Sequence, residues 1–506
     1  MTVSYATLPG VTDPGSTPSA RGAGPGRRGA GAGRADPGFS ADELVAATGG
    51  RLLARSDRPI LGGAVDSREV ERDNLFVALP GERTDGHRFV GAAIDAGAAA
   101  VLVEAPPDPA TLRDRDATIV QVADPLRGLQ AIAAAWRTRY DPLVVGVTGS
   151  IAKTSTKEAV AAVLGAAMPT LRSEGNQNNE IGLPLTVLRL RGDHRAAVLE
   201  MGMYVGGEIA ELARIGRPEI GIVTAVQPVH LARIGTIEAV ERAKGELVEA
   251  LPDDGVAILN ADDERVRRMA SRTRARAITY GFANDADVRA ADVVSLGADG
   301  MRFRLVASGV AAAVDRDVAI PSLGRLAVHN ALAAAAVGLA AGIPLETIVA
   351  GLASGWSAPH RGELVSAGEI TIVDDSYNAS PASVMAALEL LAGMPGRRIA
   401  VLGEMLELGS EHDAGHRRVG ETAAELADRL VVVGRGAAGI AAGARAAGMD
   451  PDAIATVPDR AAARERLLEI LRSGDVVLVK ASRGIELDLL VDELRAALTS
   501  SGRVGA

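Results

Sequence analysis

Residues Leu143–Val147 form an unbroken apolar run, after which the chain passes through a glycine-containing loop into an alanine-rich stretch from about Thr154 to Ala167. A strand without polar alternation must be covered on both faces, and a helix directly after it packs back onto the sheet. That segment alone constrains the chain to a layered α/β fold. Similar runs recur at Ala196–Glu200, Glu219–Thr224 and Gly255–Asn260, with helical patterns between them. Together they predict a doubly wound, mostly parallel sheet. Between Asp287 and Ala319 the pattern shifts to shorter β-like runs, Met301–Val306 and Ala311–Ile320, which predict a small antiparallel patch. A helix over Val328–Ala341 closes this unit.

A chain of 506 residues is long enough for two to four domains. Upstream of the central unit, Ser40 and Glu43 have capping-box spacing ahead of a short helix over Leu44–Thr48. Asp73–Leu79, Phe89–Glu104 and Ala117–Val122 then alternate strand-like and helical character, predicting a smaller α/β domain. Downstream of Trp356, strand-like runs at Ile370–Asp374, Arg398–Leu402, Arg429–Val433 and Asp475–Val479 alternate with helices such as Ala382–Leu391, a second βαβ array of Rossmann-like type. The expected division is a tail over 1–38, an N-terminal domain over 39–138, a central domain over 139–354 and a C-terminal domain over 355–506. The tail is rich in Gly, Pro and Arg, lacks the apolar core of a secretory signal and is expected to be disordered.

Several functions are disfavoured by composition. Aromatic residues are only 2% of the chain, too few for base-stacking nucleic-acid modules, and the net charge of −10 advertises no basic face for nucleic acid or anionic lipid. There is no cysteine, so disulfides, thiolate-bound zinc and thiol catalysis are excluded. The longest apolar run, Ala331–Ile343, is too short to span a membrane. The absence of cysteine fits a cytoplasmic protein, and a monomer is expected.

Val144–Lys157 reads as a strand feeding a turn, with Lys153-Thr154 opening a helix: the layout of a phosphate-binding loop. In such a loop, backbone around Gly149, Ser150, Ala152 and Ser155 and the helix N-terminus stabilise an anion. Lys153 would neutralise the β and γ phosphates, and the Thr154 hydroxyl would ligate Mg²⁺. Ala152 stands where glycine is usual; at φ > 0 it would cost about 1–2 kcal/mol. The alternative is an ordinary strand–turn–helix corner. Elsewhere, the polar loop Glu174–Pro184 carries Asn176 and Asn178, Glu200 ends a strand, and Glu241–Glu246 encloses Lys244. His412 and His416, four residues apart, could form a metal pair on one helical face; with no third ligand nearby, a solvated helix is the expected reading.

These strings, with Gln227–Leu231, Asp374–Pro381 (DDSYNASP), Val401–Gly409 (VLGEMLELG) and Val479–Gly484 (VKASRG), resemble the Mur ligases, ATP-dependent amide-forming enzymes of peptidoglycan synthesis. Within that family the chain is most similar to the type that adds D-alanyl-D-alanine to a UDP-N-acetylmuramoyl tripeptide. The resemblance runs from about Ser40 to Asp488. It implies a three-domain α/β fold and an acyl-phosphate mechanism using ATP and Mg²⁺. It further implies that Glu200, with Thr154, holds one Mg²⁺, that His230 is a second-metal ligand, and that Lys244 is carbamylated and helps hold the second ion. Arg361 would reach ATP phosphate at the hinge, Asn330 and Asp375 would contact nucleotide, and Ser67, Arg68, Asn176, Asn178 and Asn378 would contact substrate. For Lys480 and Arg483 a surface turn and a substrate contact are both open. The segment Gly324–Ala334 departs from the family pattern, with Leu326 and Ala327 where His and Asn are usual, and Ser380 departs within YNASP. The alternatives are a sibling Mur or folylpolyglutamate-type ligase with another amino donor, and a non-catalytic nucleotide-binding relative.

Overall fold

The computed structural model describes residues 37–500 apart from 82–83, 229–230 and 311–312, and three sheets organise it into three α/β domains lying in one compact unit. The sequence-expected tail therefore lies almost wholly outside the described residues. In the first sheet, β1 (Arg51–Ala54), β2 (Gly63–Ala64), β3 (Leu75–Val77), β4 (Ala100–Val103) and β5 (Thr118–Gln121) stand in the order β1-β5-β4-β3-β2. Only β1 runs antiparallel to its neighbour. The expected capping box is present: Ser40 and Glu43 cap each other's backbone N–H at the start of helix Ala41–Thr48.

The central sheet comprises β6 (Leu143–Thr148), β7 (Thr170–Arg172), β8 (Ala196–Glu200), β9 (Ile220–Val223), β10 (Val256–Asn260), β11 (Arg276–Gly281), β12 (Val288–Ser295), β13 (Met301–Ala307) and β14 (Val314–Ile320). Their order is β14-β13-β12-β11-β10-β9-β6-β8-β7. Every residue of β6 and β8 is buried, as strands covered on both faces require. The expected antiparallel patch is present: β12, β13 and β14 form a meander hydrogen-bonded onto the parallel sheet through β11. Helix Gly324–Ala340 begins earlier than its apolar pattern suggests and buries the run Ala331–Val337 completely. Small side chains there allow close packing against helix Lys153–Gly165. Gly351, on helix Leu345–Ala353, packs so tightly that a Cβ would lie 2.8 Å from the Val163 Cα.

The third sheet has β15 (Glu363–Ala367), β16 (Ile370–Asp374), β17 (Arg398–Gly403), β18 (Arg429–Val433), β19 (Ile454–Val457) and β20 (Val476–Lys480), in the order β15-β16-β20-β17-β18-β19. All neighbours are parallel except β15 and β16. Trp136, on helix Pro125–Arg137, joins the first two domains: its ring lies 5.0 Å from that of Phe39 and its Nε1 donates to the Leu190 carbonyl. Among the described residues, no helix is long and apolar enough to cross a membrane.

Candidate active site

β6 lies between β8 and β9, so the connections leaving β6 and β9 diverge to opposite sides of the sheet, and a crevice opens beyond the strand ends. That crevice is part of a cleft of about 1130 Å³ which the third domain closes on the opposite side. Ser150, Ala152, Lys153, Thr154 and Ser155 line it, with Glu200 and Lys244. From the third domain and its hinge come Arg361, Asp375, Asn378 and Lys480.

The turn after β6 is shaped by backbone geometry. Gly149 has φ +149°, and a Cβ there would fall 1.8 Å from the Thr224 hydroxyl, so no side chain fits. Ala152 has φ 64° and ψ 0°, the left-handed conformation, directly before helix Lys153–Gly165. The expected cost of about 1–2 kcal/mol therefore applies, because its Cβ crowds the adjacent peptide. Lys153 Nζ donates to the Gly149 carbonyl at 2.7 Å, folding the side chain back over the turn. Ser150 is spent locally: its N–H donates to the Ala225 carbonyl, and its hydroxyl both donates to the Gln227 carbonyl and accepts from the Gln227 N–H.

Glu200 ends β8 and is 1% exposed. Its Oε1 accepts from Asn178 Nδ2 at 2.7 Å, whereas its Oε2 is buried without a hydrogen-bond partner. A buried carboxylate oxygen left unpaired is costly, and a cation is the group that would satisfy it. Thr154, also buried, opens the neighbouring helix and lines the same cleft. Among the described residues, no three His, Asp or Glu side chains gather as a metal cluster, so a cation here would take further donors from a ligand. The oxygen-only, hard donor set of Glu200 and Thr154 fits Mg²⁺ with phosphate.

Lys244 is 2% exposed, on helix Ile237–Glu249. The acidic residues near it in sequence are engaged elsewhere. Glu241 pairs with Arg265 and Arg268, and Glu246 accepts from the N–H groups of Gly207 and Ala210. Burial, reinforced by the Lys153 cation, pushes the Lys244 ammonium well below its ordinary range. Lys153 is lowered as well, by burial first, with Glu200 opposing and Arg361 adding to the shift.

On the third-domain side, Lys480 is 3% exposed and not on a surface turn. Its Nζ donates to Asp375 Oδ2 at 2.6 Å and to the Asn378 carbonyl at 2.9 Å. Burial raises the Asp375 carboxyl, and Lys480 opposes that shift. The Arg361 guanidinium lies 4.1 Å from the Tyr377 ring centroid and that of Arg483 lies 5.1 Å away, so one aromatic ring carries two cations. Tyr377 in this role was not foreseen, although its place just past β16 signals a residue at a strand's C-terminal end.

Other expected residues fall differently. Asn176 and Asn330 line the cleft; Asn330 Oδ1 accepts from the Thr156 hydroxyl, so this atom secures the helix after the turn. Leu326 and Ala327, the departures from the family pattern, also line the cleft. Ser67 and Arg68 are not gathered into it: Arg68 sits exposed, paired with Asp66 at 2.5 Å. His230 lies outside the described residues. His412 and His416 form neither a metal pair nor a solvated face, because His416 is fully buried with both ring nitrogens bonded to backbone.

Comparison with known proteins agrees with this geometry. Family models described as "Mur ligase family, catalytic domain", "Mur ligase middle domain" and "Mur ligase, glutamate ligase domain" match residues 61–137, 147–338 and 360–483 respectively. The chain is 36% identical over 443 residues to the UDP-N-acetylmuramoyl-tripeptide--D-alanyl-D-alanine ligase of Bacillus subtilis, covering 86% of this chain and 93% of that one. The crystal structure of MurF from Acinetobacter baumannii superposes with a TM-score of 0.80 at 29% identity, over 90% of this chain and 99% of that one. MurF ligase from Thermotoga maritima in complex with ADP superposes with a TM-score of 0.75 at 28% identity, over 87% and 98%. With its three domains matched in order by three family models, and its strand-end residues meeting in one cleft, this chain belongs to the Mur ligase family.

Proposed function

We propose that the protein is an ATP-dependent, ADP-forming ligase that joins D-alanyl-D-alanine to a UDP-N-acetylmuramoyl tripeptide, a cytoplasmic step in making peptidoglycan precursors. The observation that carries this reading is the meeting of Lys153, Thr154, Glu200 and Lys244 in the cleft that Arg361, Asp375 and Lys480 close from the third domain. We assign 39–138 to the UDP end of the substrate, 139–354 to ATP and 355–506 to the dipeptide. The protein is expected to act as a monomer whose domains close on the substrates.

A carboxylate is a poor electrophile and must be activated before an amine can capture it. The tripeptide carboxylate attacks the γ-phosphorus of ATP, the bond to the β-γ bridging oxygen breaks, and ADP leaves. The dipeptide amine then attacks the acyl carbon, loses a proton and expels inorganic phosphate. Little covalent work falls to the protein, so placement and charge neutralisation dominate. Lys153 neutralises the phosphates, while Arg361, held over Tyr377, brings charge from the closing domain. Gly149, Ser150, Ala152 and Ser155 shape the turn around the phosphates, and Asn330 and Asp375 border the nucleotide. Asn176, Asn178 and Asn378 border the substrates, and Ser67 and Arg68 serve the UDP end.

Thr154 and Glu200 would hold Mg²⁺, which would supply charge to offset the phosphates, and His230 and Lys244 would serve a second ion. Burial disfavours the Lys244 ammonium and so favours the neutral amine, the form that can take up CO₂, and a carbamate there would turn a cation into an oxygen donor. The test is phosphate release with ATP, the UDP-tripeptide and D-alanyl-D-alanine, each omitted in turn. Release should need all three. Full release with another amine, and none with D-alanyl-D-alanine, would reassign the donor.

A further inference from the structure

The segment Glu404–Leu408, directly after β17, forms part of the third-domain wall of the cleft through Leu406, Glu407 and Leu408. Two of its backbone N–H groups are bonded to side chains of other elements. The Met405 N–H donates to Nε2 of His416 at 3.0 Å, and the Leu406 N–H donates to the Ser482 hydroxyl at 2.9 Å. His416 is fully buried on helix His412–Leu426, and its Nδ1 donates to the His412 carbonyl at 2.7 Å. A ring that accepts at Nε2 and donates at Nδ1 is neutral imidazole. A proton added at Nε2 would set one donor against another across that bond, so the bond would have to open.

We propose that His416 is a positioning residue for the ligase reaction, its neutral ring holding the Glu404–Leu408 wall in the cleft and its protonation releasing that wall. This rests on the reading of the cleft as the ligase site. Ser482 ties the segment on both sides of Met405, its N–H donating to the Glu404 carbonyl at 3.0 Å and its hydroxyl accepting from Leu406, and neither bond titrates, so the Met405 amide between them is where the wall gives way.

The charges facing the ring set the direction of the switch. His412 stacks on it with centroids 4.2 Å apart, its Nε2 against Glu404 Oε1 at 3.2 Å and its Nδ1 against Asp413 Oδ1 at 3.1 Å. Those two carboxylates raise His412, whereas burial lowers His416, its bond to the His412 carbonyl opposing that shift and the His412 cation adding to it. Glu404 and Asp413 also act on His416, in the opposite sense. Arg417 follows on the same helix. From helix Ala438–Ala446, Gly439 packs on the His416 Cβ, and the charged residue of that helix, Arg445, lies roughly 9 Å further along its axis. Arg435 opens the turn Arg435–Ala437, whose Gly436 packs against the Glu404 carboxylate. As pH falls, His412 takes its proton first and His416 resists until lower pH, so the wall is held under neutral conditions and freed in acid.

Hydrogen–deuterium exchange of the full chain tests this at about pH 7.5 and about pH 5, corrected for intrinsic rates. Protection of the Met405 amide should fall about tenfold or more in acid while that of β6 stays unchanged. His416→Gln offers an amide that can accept from Met405 and donate to His412 without titrating. It should keep the protection at both pH values and extend the acid limb of kcat/KM for D-alanyl-D-alanine to lower pH. Equal wild-type protection at the two pH values overturns the proposal, and that measurement needs no variant and no substrate. An equal fall in wild type and His416→Gln overturns it too, because the ring would not be the trigger. If exchange behaves as expected but wild-type protein releases no phosphate with any amine at about pH 7.5, the ligase reading has failed, and with it the positioning role.

Discussion

Ala152 shows how much one methyl group can matter. It occupies the left-handed region where glycine is free, at the start of the helix that carries Lys153. Replacing it with glycine removes a strain of about 1–2 kcal/mol but adds unfolded-state entropy of about 0.5–1 kcal/mol. Ala152→Gly should therefore stabilise the protein by roughly 0.5–1 kcal/mol in urea denaturation and leave the KM for ATP unchanged or lower. Lys244 carries a cost of another kind. The folded chain binds its proton less readily than the unfolded chain, so this residue destabilises the ligand-free protein most at low pH, and the penalty fades as pH rises towards 10.5. Lys244→Met should raise Tm by about 2–4 °C at neutral pH while turnover falls by orders of magnitude, a trade of stability for function. Lys244→Ala should be partly rescued by a small carboxylic acid; no rescue would count against the carbamate. Lys153→Ala should lower kcat by about three orders of magnitude or more, read by phosphate release.

Between elements, two carboxylates hold the scaffold behind the site. Glu246 reaches from helix Ile237–Glu249 to the N–H groups of Gly207 and Ala210, fixing the start of helix Glu208–Gly216. It favours that helix end electrostatically as well as by hydrogen bonding. Glu246→Ala should cost about 1–3 kcal/mol in chemical denaturation and loosen the cleft-lining segment Gly202–Gly207. Asp475, 2% exposed at the entry to β20, is bound bidentately by Arg397 at 2.8 and 2.6 Å. Arg397→Ala would strand a buried charge and should cost about 3–5 kcal/mol. Element type was legible where a pattern is contiguous. The buried strands β6, β8 and β10 announce themselves as apolar runs, and Ser40 with Glu43 announces a helix start. Short strands such as β2, β7 and β19 have no such signal, because a few residues show no period and only their neighbours make them strands. The antiparallel meander was legible as strands but not as part of the main sheet, since pairing partners are not written locally.

For the whole molecule, the site exists because the central and third domains present their strand ends to one cleft. Motif residues were legible one by one: Lys153 and Thr154 from their turn, Glu200, Asp375 and Lys480 from strand ends. Their chemical states were not. For Lys480 a surface turn and a substrate contact were both open until β16 and β20 stood side by side, placing it 2.6 Å from the Asp375 carboxylate. His412 and His416 looked like a solvated pair until His416 was seen fully buried, its Nε2 accepting from the Met405 N–H. The amino-acid order by itself determined the phosphate-loop turn, the buried strands and the family, because these depend on residues adjacent along the chain. Only the tertiary structure decided that Ala152 is left-handed, that Glu200 keeps one oxygen unpaired and that Lys244 resists its proton. Each of those depends on which distant groups exclude water and which partners they supply, and that is a property of packing.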